Sequence, residues 1–101
     1  MDTYKITSME KIASFAILVA VYNGSEYLKR CLDSLLQQTL KDIQVICIDD
    51  GSTDNSWEIL QSYAAIDRRI ETLHLSQNYG AAHARNEGIK LINAHYTTFL
   101  D

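Results

Sequence analysis

Two carboxylates stand side by side at Asp49-Asp50, where an apolar run ends and Gly51-Ser52-Thr53-Asp54 begins. Adjacent acids repel, so a ligand or the local fold must occupy them. In one reading a side chain accepts a hydrogen bond from a ligand N–H or hydroxyl. In the other, both cap the turn and the helix after it. A phosphoacceptor pocket would want its acidic pair after the first strand, its acceptor Asp after the third and a Lys after the fifth. This chain has neither that placement nor that Lys. Tyr22-Asn23 offers an aromatic face to a flat base, or else a strand-end ring and a plain helix cap. Arg85, behind Gly80, could reach a diphosphate or a base carbonyl, or simply pair at the surface with Glu87 or a nearby Asp. His74, His83 and His95 lack metal-ligand spacing and read as surface or partly buried residues. No Ser/His/Asp or Cys/His arrangement is visible. The glycines form neither a dinucleotide fingerprint nor a phosphate loop.

The elements around these residues alternate. Residues 1–14 read as a leader and 15–101 as the folded domain. Phe15–Val21 is a continuous β-prone run, the pattern of a strand buried on both faces. Asn23 is placed to cap the next helix, with Glu26 as a capping-box partner. Leu28, Cys31, Leu32, Leu35 and Leu36 then make the apolar stripe of a helix lying on a sheet. A second strand is expected over Ile43–Ile48. A helix over about 55–66 follows, with Trp57, Leu60 and Ala64 inward and Ser52, Thr53 or Asp54 as its cap. Ile70–Leu75 reads as a third strand, Asn78-Tyr79-Gly80 as a loop, Ala81–Asn93 as an Ala-rich helix that can lie close to the sheet, and Tyr96–Leu100 as a fourth strand with Asp101 at its exit. Buried strands alternating with amphipathic helices imply an α/β fold, a Rossmann-like parallel sheet of β-α units. Ligands of such sheets bind at the carboxyl ends of the strands, where Tyr22-Asn23, Asp49-Asp50 and Asp101 all fall.

Bulk properties narrow the function. The 101 residues suit one small domain, and 47% hydrophobic with 22% charged residues argues against disorder. Nine Lys and Arg stand against thirteen Asp and Glu, a net charge of −4, with no basic cluster. A nucleic-acid partner is therefore not expected. Cys31 and Cys47 read as buried free thiols of a reducing compartment. The opening segment carries no long apolar core, and Phe15–Tyr22 is too short to span a bilayer, so a cytoplasmic location is expected.

Four segments in order, Val19-Ala-Val-Tyr-Asn23, Ile48-Asp-Asp-Gly-Ser-Thr-Asp54, Asn78-Tyr-Gly-Ala-Ala-His-Ala-Arg-Asn-Glu-Gly88 and Phe99-Leu-Asp101, resemble the family 2 glycosyltransferases of the GT-A fold. The resemblance runs from about Phe15 to the last residue and implies the N-terminal, nucleotide-binding half of that fold. It implies a sugar transferred from a nucleoside diphosphate sugar, by default a UDP-sugar, to a saccharide, lipid or protein acceptor by an inverting reaction. Tyr22 and Asn23 would line the nucleotide-sugar site. Tyr22 would lie against the base, Asp50 would accept a hydrogen bond from it, Asp49 would support the turn, and Arg85 would contact base or phosphates. Asp101 matches the first Asp of the D-x-D motif, which binds ribose and, mainly through its later Asp, a Mn²⁺ or Mg²⁺ on the diphosphate; the cation acts as a Lewis acid at the leaving group. Ala20 stands where the family usually has Pro. The rest of D-x-D, the acceptor half and the catalytic base lie outside these residues by this reading, so the chain alone is expected to be inactive. Two other readings stay open: a non-catalytic nucleotide-binding module, and a remnant that self-associates through the edge of its fourth strand.

Overall fold

A computed structural model describes residues 12–37 and 42–100. Its order is β1 (Ala13–Val21), α1 (Ser25–Leu36), β2 (Ile43–Asp49), α2 (Ser56–Ile66), β3 (Ile70–His74), α3 (Ala81–Ile89) and β4 (Ala94–Leu100). Among the described residues the four strands form one parallel sheet in the order β3-β2-β1-β4. The expected parallel α/β architecture is therefore present. The chain steps outward from β1 to β3, then returns across β1 to lay down β4. That reversal puts a switch point between β1 and β4, the place where such sheets open a crevice at the carboxyl ends of their strands.

Period-two alternation sorts the side chains of the sheet. Val19, Val21, Val45 and Cys47 face one way and pack with Leu28, Leu32 and Leu35 of α1 and Leu60 of α2. Ala16, Leu18, Ile46 and Ile48 face the other way and pack with Ala84 of α3. Every residue of β2 is buried, as the unbroken apolar run requires of a central strand covered on both faces. The two small residues buried on α3, Ala84 and Gly88, let it lie close over Leu18 and Ile48. Of the two thiols, Cys47 is fully buried as expected, whereas Cys31 is only partly covered, because it sits on the flank of the α1 stripe. In α2 the deepest residues are Ser56 and Leu60, and Trp57 packs at the core margin.

Several boundaries moved. The first strand opens at Ala13, where Ala13 pairs with Ala94 and the Ser14 amide donates to the Asp42 carbonyl. The third helix ends at Ile89 rather than Asn93. The buried Gln44 side chain takes hold of the chain there, its Nε2 donating to the Leu91 carbonyl at 2.8 Å and its Oε1 accepting the Asn93 amide at 2.7 Å. Those two bonds turn the backbone out of the helix and start β4 at Ala94.

Candidate functional site

The carboxyl end of β1 enters a loop in which Asn23 adopts φ 50°. Asn23 does not cap α1; the cap residue is Gly24, and no capping box with Glu26 forms. The Asn23 Oδ1 instead accepts the amides of Thr53 at 2.8 Å and Asp54 at 3.3 Å, and its own amide donates to Ser52 Oγ at 2.9 Å. The first amides of α1 are satisfied from the same distant loop. Gly24 N–H donates to the buried Ser56 Oγ, and Ser25 N–H to Asp54 Oδ2. Asp54 Oδ1 meanwhile accepts the Ser56 amide at 2.9 Å. One carboxylate thus serves the starts of two helices, a favourable place for negative charge. Hydrogen bonding from Ser56, hydroxyl before amide, and then from Ser25 holds the Asp54 carboxyl down to about 2 against the opposing effect of burial.

Asp49 and Asp50 point to opposite faces of the sheet, which resolves their mutual repulsion. Asp50 is 3% exposed, and its two oxygens accept the amides of Tyr79 and Gly80, each at 2.9 Å. It therefore holds the loop between β3 and α3 against the end of β2. Asp49 is fully buried on the α1–α2 side, with His74 Nδ1 3.0 Å from its Oδ2. That approach is off the hydrogen-bonding line, and neither Asp49 oxygen has an aligned donor. Neither acid caps α2.

Ala20, Val21, Tyr22, Asp50, Asn78, Gly80 and Ala81 enclose a cleft of about 270 Å³ at the strand ends. Tyr22 is 46% exposed at its rim, so a ring face is available to a planar ligand. Beside it, Asp50 keeps acceptor capacity beyond its two loop bonds, since a carboxylate has about four lone-pair positions. Of the residues singled out from the sequence, Tyr22 and Asp50 line this cleft. Asn23 and Asp49 support its walls from behind. Arg85 does not line it; its guanidinium carbon lies 5.8 Å from the Phe99 ring centroid on β4. Glu87, one of the expected alternative partners of Arg85, pairs with Lys90 at 3.0 Å. Asp101 lies outside the described residues. Asn78 and Gly80 join the site from a segment read as a loop that opens the third of the family-like motifs, and His74 enters its support from a position read as surface or partly buried. Their signal was the Asn78-Tyr79-Gly80 spacing, which carries no long-range information about Asp50.

No group of three or more His, Cys, Asp or Glu side chains among the described residues could hold a metal ion. These residues do not form a cation site by themselves. No helix among them is long and apolar enough to cross a membrane.

Residues 16–101 match the family model described as glycosyl transferase family 2. The chain is 41% identical over 86 residues to the glycosyltransferase GlyG of Streptococcus pneumoniae, covering 85% of this chain and 29% of that protein. It is 44% identical over 86 residues to the uncharacterized glycosyltransferase EpsJ of Bacillus subtilis, covering 85% of this chain and 25% of that protein. The chain thus spans about a quarter to a third of the length of these relatives. Its structure is similar to that of S. aureus TarS in complex with UDP-GlcNAc, with TM-score 0.80 and 27% identity over 87% of this chain and 26% of that one. The sheet is that of the N-terminal, Rossmann-like half of the GT-A fold.

Proposed function

Because the chain belongs to glycosyl transferase family 2, we propose that it supplies the nucleotide-sugar site of an enzyme that transfers a sugar from a UDP-sugar to a saccharide, lipid or protein acceptor. The observation that carries this reading is the cleft in which an exposed Tyr22 ring faces acceptor capacity on Asp50. A uracil ring suits that pair: its flat face stacks on the tyrosine while an N–H finds a carboxylate oxygen. The bound UDP-GlcNAc of TarS supports the same ligand class. The transfer is taken to invert the anomeric centre, with the acceptor groups and catalytic base contributed by sequence beyond these residues. Arg85 and Asp101 are assigned to the diphosphate side of the site. When bound, a Mn²⁺ or Mg²⁺ at Asp101 would neutralise the departing diphosphate. The described side chains bind and orient the base. By this reading the chain works in the cytoplasm, with the longer protein at the cytoplasmic face of the membrane.

The test is calorimetric titration of the chain with UDP, with and without Mn²⁺, alongside Tyr22→Ala. Tyr22 is at the surface, so its removal leaves the fold intact. Saturable binding that weakens about tenfold in the variant is expected from the loss of one stacked ring. A wild-type chain that ignores UDP at millimolar concentration would sink the reading. For the longer protein, release of nucleoside diphosphate in the presence of acceptor and Mn²⁺ is the corresponding assay.

One observation favours self-association as a second property. Strand β4 is one of the two edges of the described sheet, and its Tyr96 and Phe99 are exposed. Light scattering that shows only monomer at high concentration would remove it.

A further inference from the structure

Three consecutive residues at the end of β2 hold one segment of chain, 74–80, at three successive points. The Asp49 carbonyl accepts the Leu75 amide at 2.9 Å, and its carboxylate faces His74 at 3.0 Å. Gly51, at φ 72°, lies so close to the Gln77–Asn78 backbone that a Cβ there would collide with the Gln77 carbonyl carbon. Asp50 takes the amides of Tyr79 and Gly80. The far end of this segment provides Asn78 and Gly80 to the cleft. Its near end depends on the least satisfied buried side chain among the described residues. The Asp49 carboxylate is fully buried with no aligned donor among the described residues, and the nitrogen it faces is His74 Nδ1, 3.0 Å from its Oδ2. A buried carboxylate without a donor is strongly unfavourable, so that contact cannot be incidental to where β3 ends. The His74 ring is held in turn by Trp57 of α2, with ring centroids 4.6 Å apart. Half of the His74 side chain stays open to solvent, so packing alone does not explain a histidine there.

We propose that His74 is a positioning residue for the nucleotide cleft: its Nδ1–H, aimed by Trp57, balances the buried Asp49 and so sets the pose of segment 74–80 that Asp50 then clamps. The proposal rests on the nucleotide reading for its effect on affinity, but not for its effect on the loop.

Two substitutions separate donor from ring. His74→Phe keeps a ring on Trp57 and removes the donor; His74→Asn removes the ring and places an amide N–H near the Nδ1 position. Amide hydrogen exchange of the ligand-free chain is followed at Tyr79 and Gly80, with Val45 and Ile48 as core references, and UDP affinity is measured by calorimetry. In His74→Phe, exchange at Tyr79 and Gly80 should rise about tenfold with the core amides unchanged, and His74→Asn should recover most of that protection. UDP affinity should fall in the first variant and return in the second. Equal acceleration of all four amides, no change in His74→Phe, or no rescue by His74→Asn would each overturn the proposal. Nitrogen-15 NMR of the wild-type imidazole decides it even if His74→Phe does not fold: an Nδ1 that carries no proton near neutral pH also overturns it. If wild-type protein fails to bind UDP, the nucleotide reading falls, while the exchange data still decide the clamp.

Discussion

The Asn23 Oδ1 accepts the Thr53 amide at 2.8 Å while Asn23 itself stands at φ 50°, so one residue both makes the left-handed turn after β1 and ties it to the loop after β2. Left-handed backbone is tolerated by Asn far better than by most residues, because its short polar side chain bonds locally. Asn23→Gly should lose the Oδ1 bonds to Thr53 and Asp54 but keep the turn and the backbone bond to Ser52. Asn23→Ala should lose those Oδ1 bonds and the turn and unfold more easily, with an added cost of about 1 kcal/mol from the strained backbone. Urea denaturation of the two variants measures the difference, and an alanine variant as stable as the glycine variant would contradict this account.

Gly51 and Gly80 share positive φ, at 72° and 104°, yet alanine should affect them differently. At Gly80 nothing lies within 4 Å of a new Cβ, so only backbone strain of about 1–3 kcal/mol is expected. At Gly51 the same atom would collide with the Gln77 and Asn78 backbone, which cannot turn aside as a side chain does. Gly51→Ala should therefore destabilise more than Gly80→Ala, and it should also displace the cleft loop. Thermal unfolding ranks the two.

The Asp54 carboxyl, held down to about 2 from 3.8, links stability to acid. A lowered folded-state value means the unfolded chain binds its proton first as pH falls. The stabilisation from Asp54 is complete above about pH 4 and disappears as pH drops toward about 2. The stability difference between wild type and Asp54→Asn should be constant near neutrality and close over that window. Melting curves at a series of pH values test this, and a difference that persists unchanged to pH 2 would refute it.

Burial pushes the Cys47 thiol up to about 12, with Cys31 adding to the effect, so it carries almost no thiolate at neutral pH. Burial also raises Cys31, but that residue lines an apolar groove between α1 and the ends of β1 and β4 that is open to solvent. Iodoacetamide should label Cys31 slowly in the native protein and Cys47 only as fast as the chain unfolds. Mass spectrometry of timed samples reads both rates, and equal labelling would contradict the full burial of Cys47 in β2.

Apolar runs and helical stripes in the amino-acid order were enough to place all seven elements, because burial on one or two faces writes its period directly into neighbouring residues. They also marked Tyr22 and Asp50, since strand ends in a parallel sheet are where ligand groups must stand. What they could not carry was the partner of each polar group. Asn23 looks like a helix cap in isolation, but a carbonyl oxygen bonds whichever amide the fold brings near, and that amide belongs to Thr53, thirty residues on. Gln44 ends α3 from a distance of 47 and 49 residues. Asp49 and Asp50 are identical in type and adjacent in sequence, yet the pleat sends one under α2 toward His74 and the other to the loop at Gly80. Local pattern follows from covalent spacing; hydrogen-bond choice follows from proximity across the chain, and only the packed sheet supplies that.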